Sequence, residues 1–152
     1  LQLYPTIALF WLGRPISRQR EAAFQVPLRE SHVWQRVWRI GWPDALRWQF
    51  MLLADFAVYL ADDNIINASK FPVRLLEMMA AGLPILAENV GDMPLLIQHN
   101  QSGWLIRPGR LDDLVQGSGR MFHADLFQKW GSAARQTVRE HYWWPQMRCP
   151  YW

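Results

Sequence analysis

Apolar residues occur along the chain in short runs that are separated by polar segments and by Gly or Pro. Five of these runs have the length of a strand and lie near residues 5–13, 32–42, 56–60, 84–87 and 104–106. Helical spacing of apolar residues predicts helices near residues 44–54, 72–81, 93–99, 111–121 and 126–141, while residues 14–30 suit a helix or a loop. Strands that alternate with helices predict an α/β fold, with a Rossmann-like parallel sheet and flanking helices.

The second strand is rich in tryptophan. Trp34, Trp38 and Trp42 share one parity, while Val33 and Val37 have the other, a pattern typical of a strand covered on both faces. Arginines interleave with these tryptophans, as they do in proteins that stack on single-stranded nucleic acid. A strand whose alternating side chains enter a core explains this pattern more simply, so we expect no nucleic-acid partner.

Candidate ligand-binding positions follow the ends of the predicted strands. In open parallel sheets, ligands bind beyond the carboxyl ends of the strands. This rule points to Gly13, to Gly41 and Trp42, to the polar turn at residues 62–64, to the start of the helix at Pro72 and to the turn that contains Gly91.

The stretch from Ser69 to Glu88 contains the strongest of these candidates. Pro72 suits the first turn of a helix, where its missing N–H costs nothing. We therefore expect free backbone N–H groups near Val73 and Arg74, at the positive end of the helix dipole, which is well suited to a diphosphate. Lys70 would share a helix side with Arg74 and Glu77 if the helix extends back that far.

Glu77 is flanked by apolar residues, and a carboxylate in such a setting needs a partner. Two partners are possible from the residues alone. One is the pair of hydroxyls of a ribose, from which a carboxylate can accept two hydrogen bonds. The other is Arg74, one helical turn earlier, in a routine ion pair.

Composition excludes several classes of protein. The 152 residues suit one domain, and 51% of them are hydrophobic, which argues against disorder. One cysteine and four scattered histidines offer no metal-binding spacing, so we expect no metal. A dinucleotide-binding Gly-x-Gly-x-x-Gly fingerprint is missing, which disfavours an NAD enzyme. The net charge of +3 comes with 14 Arg and 2 Lys, an ordinary basic surface.

The stretch from Pro72 to Ile85 resembles the donor-site signature of group 1, or family-4-type, glycosyltransferases of the GT-B fold. Further segments with the expected spacing extend this resemblance over most of the chain, at residues 11–15, 40–43, 54–60, 102–109 and 131–144. The resemblance implies one half of a GT-B fold and sugar transfer, with retention, from a nucleotide-diphosphate sugar.

The resemblance also implies roles for residues. Glu77 would hold the ribose hydroxyls, Arg74 and the amides near Val73 would face the diphosphate, and Gly41 and Trp42 would lie near the base. Lys70, Ser69, Gly91 and Gly13 complete the predicted donor site, and no catalytic residue, metal or cofactor is assigned. Ser69 replaces a glutamate that often contacts the donor sugar, and Leu95 stands where another glutamate is frequent.

The chain begins at Leu1, and from the resemblance we expect it to lack the first strand of such a domain and the basic residues that follow that strand. We therefore expect residues 1–152 to be a single nucleotide-sugar-binding domain whose partners are the donor and an upstream acceptor-binding domain. The acceptor would be a glycan or a lipid-linked molecule, and the expected location is the cytoplasm, free or peripheral at the inner face of the membrane. The alternative is a nucleotide-binding remnant or structural domain without transferase activity.

Overall fold

A computed structural model of the chain describes residues 6–13, 17–31, 33–41 and 47–143. The chain divides into two compact units, Leu1–Arg47 and Trp48–Trp152. Each contains a parallel sheet with helices beside its strands in the sequence, so the predicted α/β class is confirmed. The expectation that the whole chain forms a single domain stays a prediction.

The first unit contains two parallel strands, β1 (Leu9–Leu12) and β2 (Val37–Ile40), with helix α1 (Arg18–Arg29) between them in the sequence. The predicted strand over residues 32–42 is shorter than expected, because a 3-10 turn occupies Trp34–Arg36. Coverage of both faces of this strand was a wrong expectation. Trp38 is 48% exposed, and its ring stacks on exposed Phe10 of β1 at 5.7 Å, so these two aromatic rings cover each other.

The second unit is built on a three-stranded parallel sheet in the order β3-β4-β5. These strands are Ala57–Tyr59, Ile85–Glu88 and Gly103–Ile106. Its helices are α2 (Arg47–Leu53), α3 (Ile65–Ala68), α4 (Val73–Ala80), α5 (Met93–Leu96), α6 (Leu111–Met121) and α7 (Ala124–His141). The predicted helix over residues 93–99 ends early, at Leu96, and the short helix α3 has no counterpart in the prediction.

The central strand β4 organises the core of the second unit. Ile85 and Ala87 belong to one cluster of buried residues, with side chains from α4 and α7, whereas Leu86 belongs to a second cluster that includes Met121 at the end of α6. All three strand residues are fully buried, as the continuous apolar run predicts. Burial of each large side chain stabilises the fold by about 1.5–3 kcal/mol relative to exposure.

Helix α4 takes its position from this core. Leu75 and Met79, four residues apart, share one face of the helix and are fully buried. The opposite side of the helix start is exposed at Val73 and Arg74. Burial of one face thus directs the other face of the helix start towards solvent. None of the helices among the described residues is long and apolar enough to cross a bilayer.

Candidate functional site

Three loops follow the carboxyl ends of β3, β4 and β5. They lie at residues 60–64, 89–92 and 107–110. Parallel strands end at one edge of a sheet, so these loops are neighbours. The N–H of Asn89, after β4, donates to the carbonyl oxygen of Ile106, the last residue of β5, at 2.8 Å. The carboxyl edge of this sheet therefore brings predicted site segments together.

The start of α4 differs from the expected cluster of free amides. Pro72 precedes the helix with φ −85° and ψ 74°, close to an inverse γ-turn. The N–H of Val73 donates to the carbonyl oxygen of Phe71 at 3.0 Å, and that of Leu75 donates to the carbonyl oxygen of Pro72 at 2.9 Å. The amide of Val73 is therefore already engaged, because the turn around Pro72 folds the carbonyl of Phe71 back onto it.

The predicted shared helix side for Lys70, Arg74 and Glu77 is only partly correct. Helix α4 begins at Val73, so Lys70 lies in the bend before it. Arg74 and Glu77 lie one turn apart on the helix, Arg74 exposed and Glu77 half-buried. The side chain of Ser69 is exposed, and its hydroxyl donates to the carbonyl oxygen of Ile66 at 3.2 Å.

Gly91 lies against the segment that leads into α4. It has a φ of +55°, and a Cβ built on it would lie 2.7 Å from the carbonyl oxygen and 2.9 Å from the Cα of Ala68. Ala68 directly precedes Ser69, so the turn after β4 contacts the connection to α4. The sequence analysis placed Gly91 at the site, and the structure supplies the physical reason for a glycine there: side chains are excluded by both backbone conformation and space.

Glu88, the last residue of β4, links the loops on both sides of this strand. One carboxylate oxygen (Oε2) accepts from the N–H of Ala61, after β3, and the other (Oε1) accepts from the N–H of Gly109, after β5, both at 2.8 Å. Sequence reasoning assigned no role to this residue. A carboxylate at the end of a buried strand, which must find donors there, was the available signal.

The loop after β5 is also attached to α6. The guanidinium of Arg107 donates to both oxygens of Asp113, at 2.7 and 2.8 Å, and the N–H of Arg107 donates to Asp113 at 3.2 Å. The side-chain hydrogen bond from Arg107 is the main cause that lowers the pKa of Asp113 from 3.8 to about 2. The same pairing raises the pKa of Arg107. The pair closes the loop onto the first turn of α6.

The carboxyl end of α4 is held by α7. Arg135 donates from Nη2 to the carbonyl oxygen of Ala81 at 2.7 Å and from Nε to that of Ala80 at 3.2 Å. Gly131 lies so close to the carbonyl oxygen of Gly82 that a Cβ has no room. A cation on the last carbonyls of a helix also interacts favourably with the helix dipole. These contacts fix the end of α4 opposite to the candidate site.

The remaining predicted site residues belong to the first unit. Gly13 has a φ of +138°, and its N–H donates to the carbonyl oxygen of Ile40 at 3.2 Å, so it ends the pairing of β1 and β2. Gly41 is exposed directly after β2. Trp42 lies outside the described residues. The structure therefore places Gly91 against Ala68, the residue before Ser69, and describes Gly13 and Gly41 within their own unit.

Among the residues that the structure describes, no three side chains of His, Cys, Asp or Glu lie together in a way that could hold a metal ion. The expectation of a metal-free site stays a prediction.

Comparison with known proteins identifies the fold and the family. The family model described as "Glycosyl transferases group 1" matches residues 13–123. N-acetyl-alpha-D-glucosaminyl L-malate synthase of Bacillus anthracis is 26% identical over 116 residues, which cover 76% of this chain and 29% of that protein. The chain thus spans less than a third of the length of this curated relative.

Two solved structures illustrate the likeness of fold. The C-terminal domain of LpcC, a glycosyl transferase group 1 family protein of Francisella tularensis, matches with a TM-score of 0.78 and 16% identity, over 93% of this chain and 72% of that one. HepE of Anabaena, in complex with UDP, matches with a TM-score of 0.68 and 17% identity, over 90% and 37%. These matches confirm the resemblance to group 1 proteins of the GT-B fold.

Proposed function

The chain belongs to the group 1 glycosyl transferases, and we propose that it supplies the donor-binding half of a retaining enzyme. That enzyme would transfer a hexosyl group from a nucleotide-diphosphate sugar to a glycan or lipid-linked acceptor. A structural relative was crystallised with UDP, which supports a nucleotide as ligand. An acceptor-binding domain would complete the cleft.

The observation that carries the proposal is the contact of Gly91 with Ala68 at the carboxyl edge of the second unit's sheet. It joins the turn after β4 to the segment that leads into α4, and in this proposal Ser69, Gly91 and the helix start form one surface. A bound nucleotide could therefore contact all of these segments at once. In this proposal, Glu77 accepts hydrogen bonds from the ribose hydroxyls.

Side-chain cations hold the diphosphate in this proposal. The amide of Val73 already donates to Phe71, so exposed Lys70 and Arg74 neutralise the charge of the diphosphate in this proposal, assisted by the positive end of the α4 dipole. During transfer, the bond between the anomeric carbon and the diphosphate oxygen breaks, the oxygen of the acceptor hydroxyl bonds to the same face of that carbon, and the hydroxyl proton passes to the departing diphosphate. Cations at the diphosphate stabilise the charge of the leaving group.

The roles that the sequence analysis predicted for Gly41, Trp42 and Gly13 stay predictions. We assign no catalytic residue and no metal. The proposed location is the cytoplasm, with attachment at the inner face of a membrane as an alternative that co-sedimentation with anionic vesicles would test.

Calorimetric titration of the 152-residue chain with UDP and with GDP tests the donor site. We expect weak binding of a nucleoside diphosphate, and Glu77→Ala should weaken it by about tenfold to a hundredfold, because the ribose loses hydrogen bonds to a charged group. Glu140→Ala is the matched control, since it removes an exposed glutamate that accepts from Gln136 on α7. It should bind as wild type does.

The two main readings predict different results in this titration. Equal affinities of wild type and Glu77→Ala would refute the ribose assignment and leave Arg74 as the partner of Glu77. Lack of binding of either nucleotide to the wild type would refute the donor-binding role. That second result would favour a structural domain without transferase activity.

A further inference from the structure

Glu88 makes a pair of hydrogen bonds that connects three strands. Its two carboxylate oxygens accept from the N–H groups of Ala61 and Gly109, which lie 27 and 21 residues away in the sequence. Each bond measures 2.8 Å, and the acceptor carries the charge, which places both among the stronger protein hydrogen bonds. A half-buried side chain thus uses both of its oxygens for contacts to neighbouring loops.

The bond to Ala61 also reaches the connection to α4. This connection follows β3, which ends at Tyr59, passes through α3 and reaches Ala68, where Gly91 contacts it. The end of β4 and the turn after it therefore hold the connection at two points, through Glu88 near its beginning and through Gly91 near its end. Lys70 and Arg74 follow directly. A shift of Ala61 would move the segment that carries both cations.

We infer that Glu88 is a positioning residue for the donor site, which holds the loops after β3 and β5 beside the turn of Gly91 through the amides of Ala61 and Gly109. The inference rests on the proposed function, because it concerns the site that binds the nucleotide. Glu88 itself contacts no ligand in this role.

The chemistry requires a carboxylate of this length. A glutamine at position 88 keeps one acceptor oxygen, but its NH2 group faces the N–H of the other loop, and two donors cannot bond to each other. An aspartate keeps both oxygens and the charge but is one methylene shorter, so it reaches fewer donors. Glu88→Gln therefore has a side chain of nearly the same size as the wild type but loses the hydrogen bond to one of the two loops.

The test combines amide hydrogen exchange by NMR with titration of UDP and GDP, on the full 152-residue chain. In Glu88→Gln we expect exchange at Ala61 or Gly109 to be about tenfold faster than in wild type, and nucleotide affinity to be about tenfold weaker. Glu88→Asp should have exchange rates and a nucleotide affinity between those of the wild type and Glu88→Gln. Val138→Ala is the control for general loss of stability, since it truncates a buried side chain of α7, which is not part of the three loops.

The outcomes separate this inference from the proposed function. Wild-type affinity in Glu88→Gln, or unchanged exchange at both amides, overturns the positioning role while nucleotide binding by wild type upholds the donor site. Equal weakening of affinity by Val138→Ala, at matched loss of stability, also overturns it. Lack of nucleotide binding by the wild type overturns the donor site and, with it, this role. If Glu88→Gln does not fold, the same comparisons are made with Glu88→Asp.

Discussion

Replacement of Gly91 by alanine should destabilise the second unit through two separate effects. The φ of +55° costs an L-residue about 1–2 kcal/mol. In addition, the new Cβ would lie 2.7 Å from the carbonyl oxygen of Ala68 and 2.9 Å from its Cα. These are backbone atoms that cannot rotate away, and such overpacking costs about 1–3 kcal/mol. We therefore expect the free energy of unfolding to fall by about 2–5 kcal/mol.

Gly109 offers a matched control in the same unit. Its φ is +69°, so alanine there meets the same backbone strain, but no atom lies within 4 Å of the added Cβ. Its N–H can still donate to Glu88. Gly109→Ala should thus cost only about 1–2 kcal/mol. The difference between the two variants isolates the contact between Gly91 and Ala68.

Urea unfolding, followed by far-ultraviolet circular dichroism, measures both variants against the wild type. The slope with urea should be equal in all three proteins, so that the midpoints report stability. Equal destabilisation by Gly91→Ala and Gly109→Ala would refute the close contact of the turn with Ala68. Because the proposed donor surface depends on this contact, Gly91→Ala should also weaken the binding of UDP or GDP more than Gly109→Ala does.

Two further predictions concern the attachments of α4 and α6. Arg135→Ala should lower the free energy of unfolding by about 1 kcal/mol in urea titrations, because the last carbonyls of α4 lose their charged donor. Lys129→Ala, on the same helix as Arg135, is the control and should change the free energy of unfolding little. Equal effects of the two substitutions would contradict the capping role of Arg135. The pKa of Asp113 lies below its ordinary value of 3.8, so its contribution to stability is present above that value and is lost as the pH falls towards 2. NMR titration of its carboxyl carbon should show a midpoint at about 2, which moves towards 3.8 in Arg107→Ala; an unmoved midpoint would contradict the assigned cause.

Local patterns were enough to predict most of the second unit. The apolar run before Glu88 predicted a strand, and the structure has β4 at Ile85–Glu88, where Ile85, Leu86 and Ala87 are fully buried. Pro72 and Gly82 predicted the limits of α4 to within two residues, because proline has a fixed φ that suits a helix start and glycine readily adopts the positive φ that ends a helix. The pattern failed at Trp38, since an aromatic residue in a strand can stack on a neighbouring strand as well as enter a core.

The candidate site was predictable in its segments but not in its contacts. Spacing and resemblance selected Glu77, Arg74 and Gly91, and the rule for parallel sheets selected the turn after β4 in which Gly91 lies. The engagement of the Val73 amide was missed, because one turn around Pro72 decides it. Glu88 was missed because its donors come from other strands.

The sequence by itself determined the class of fold, the order of the strands and of the helices other than α3 in the second unit, and the family, because these depend on residue types and spacing along the chain. Only the tertiary structure decided that Glu88 joins Ala61 to Gly109, that Gly91 contacts Ala68 and that Arg135 caps α4. The physical reason is that each contact joins residues more than twenty positions apart, and the lateral order of the strands sets which loops meet. The stretch from Ser69 to Glu88 thus indicated the candidate donor surface, and the contacts that shape this surface come from the folded sheet.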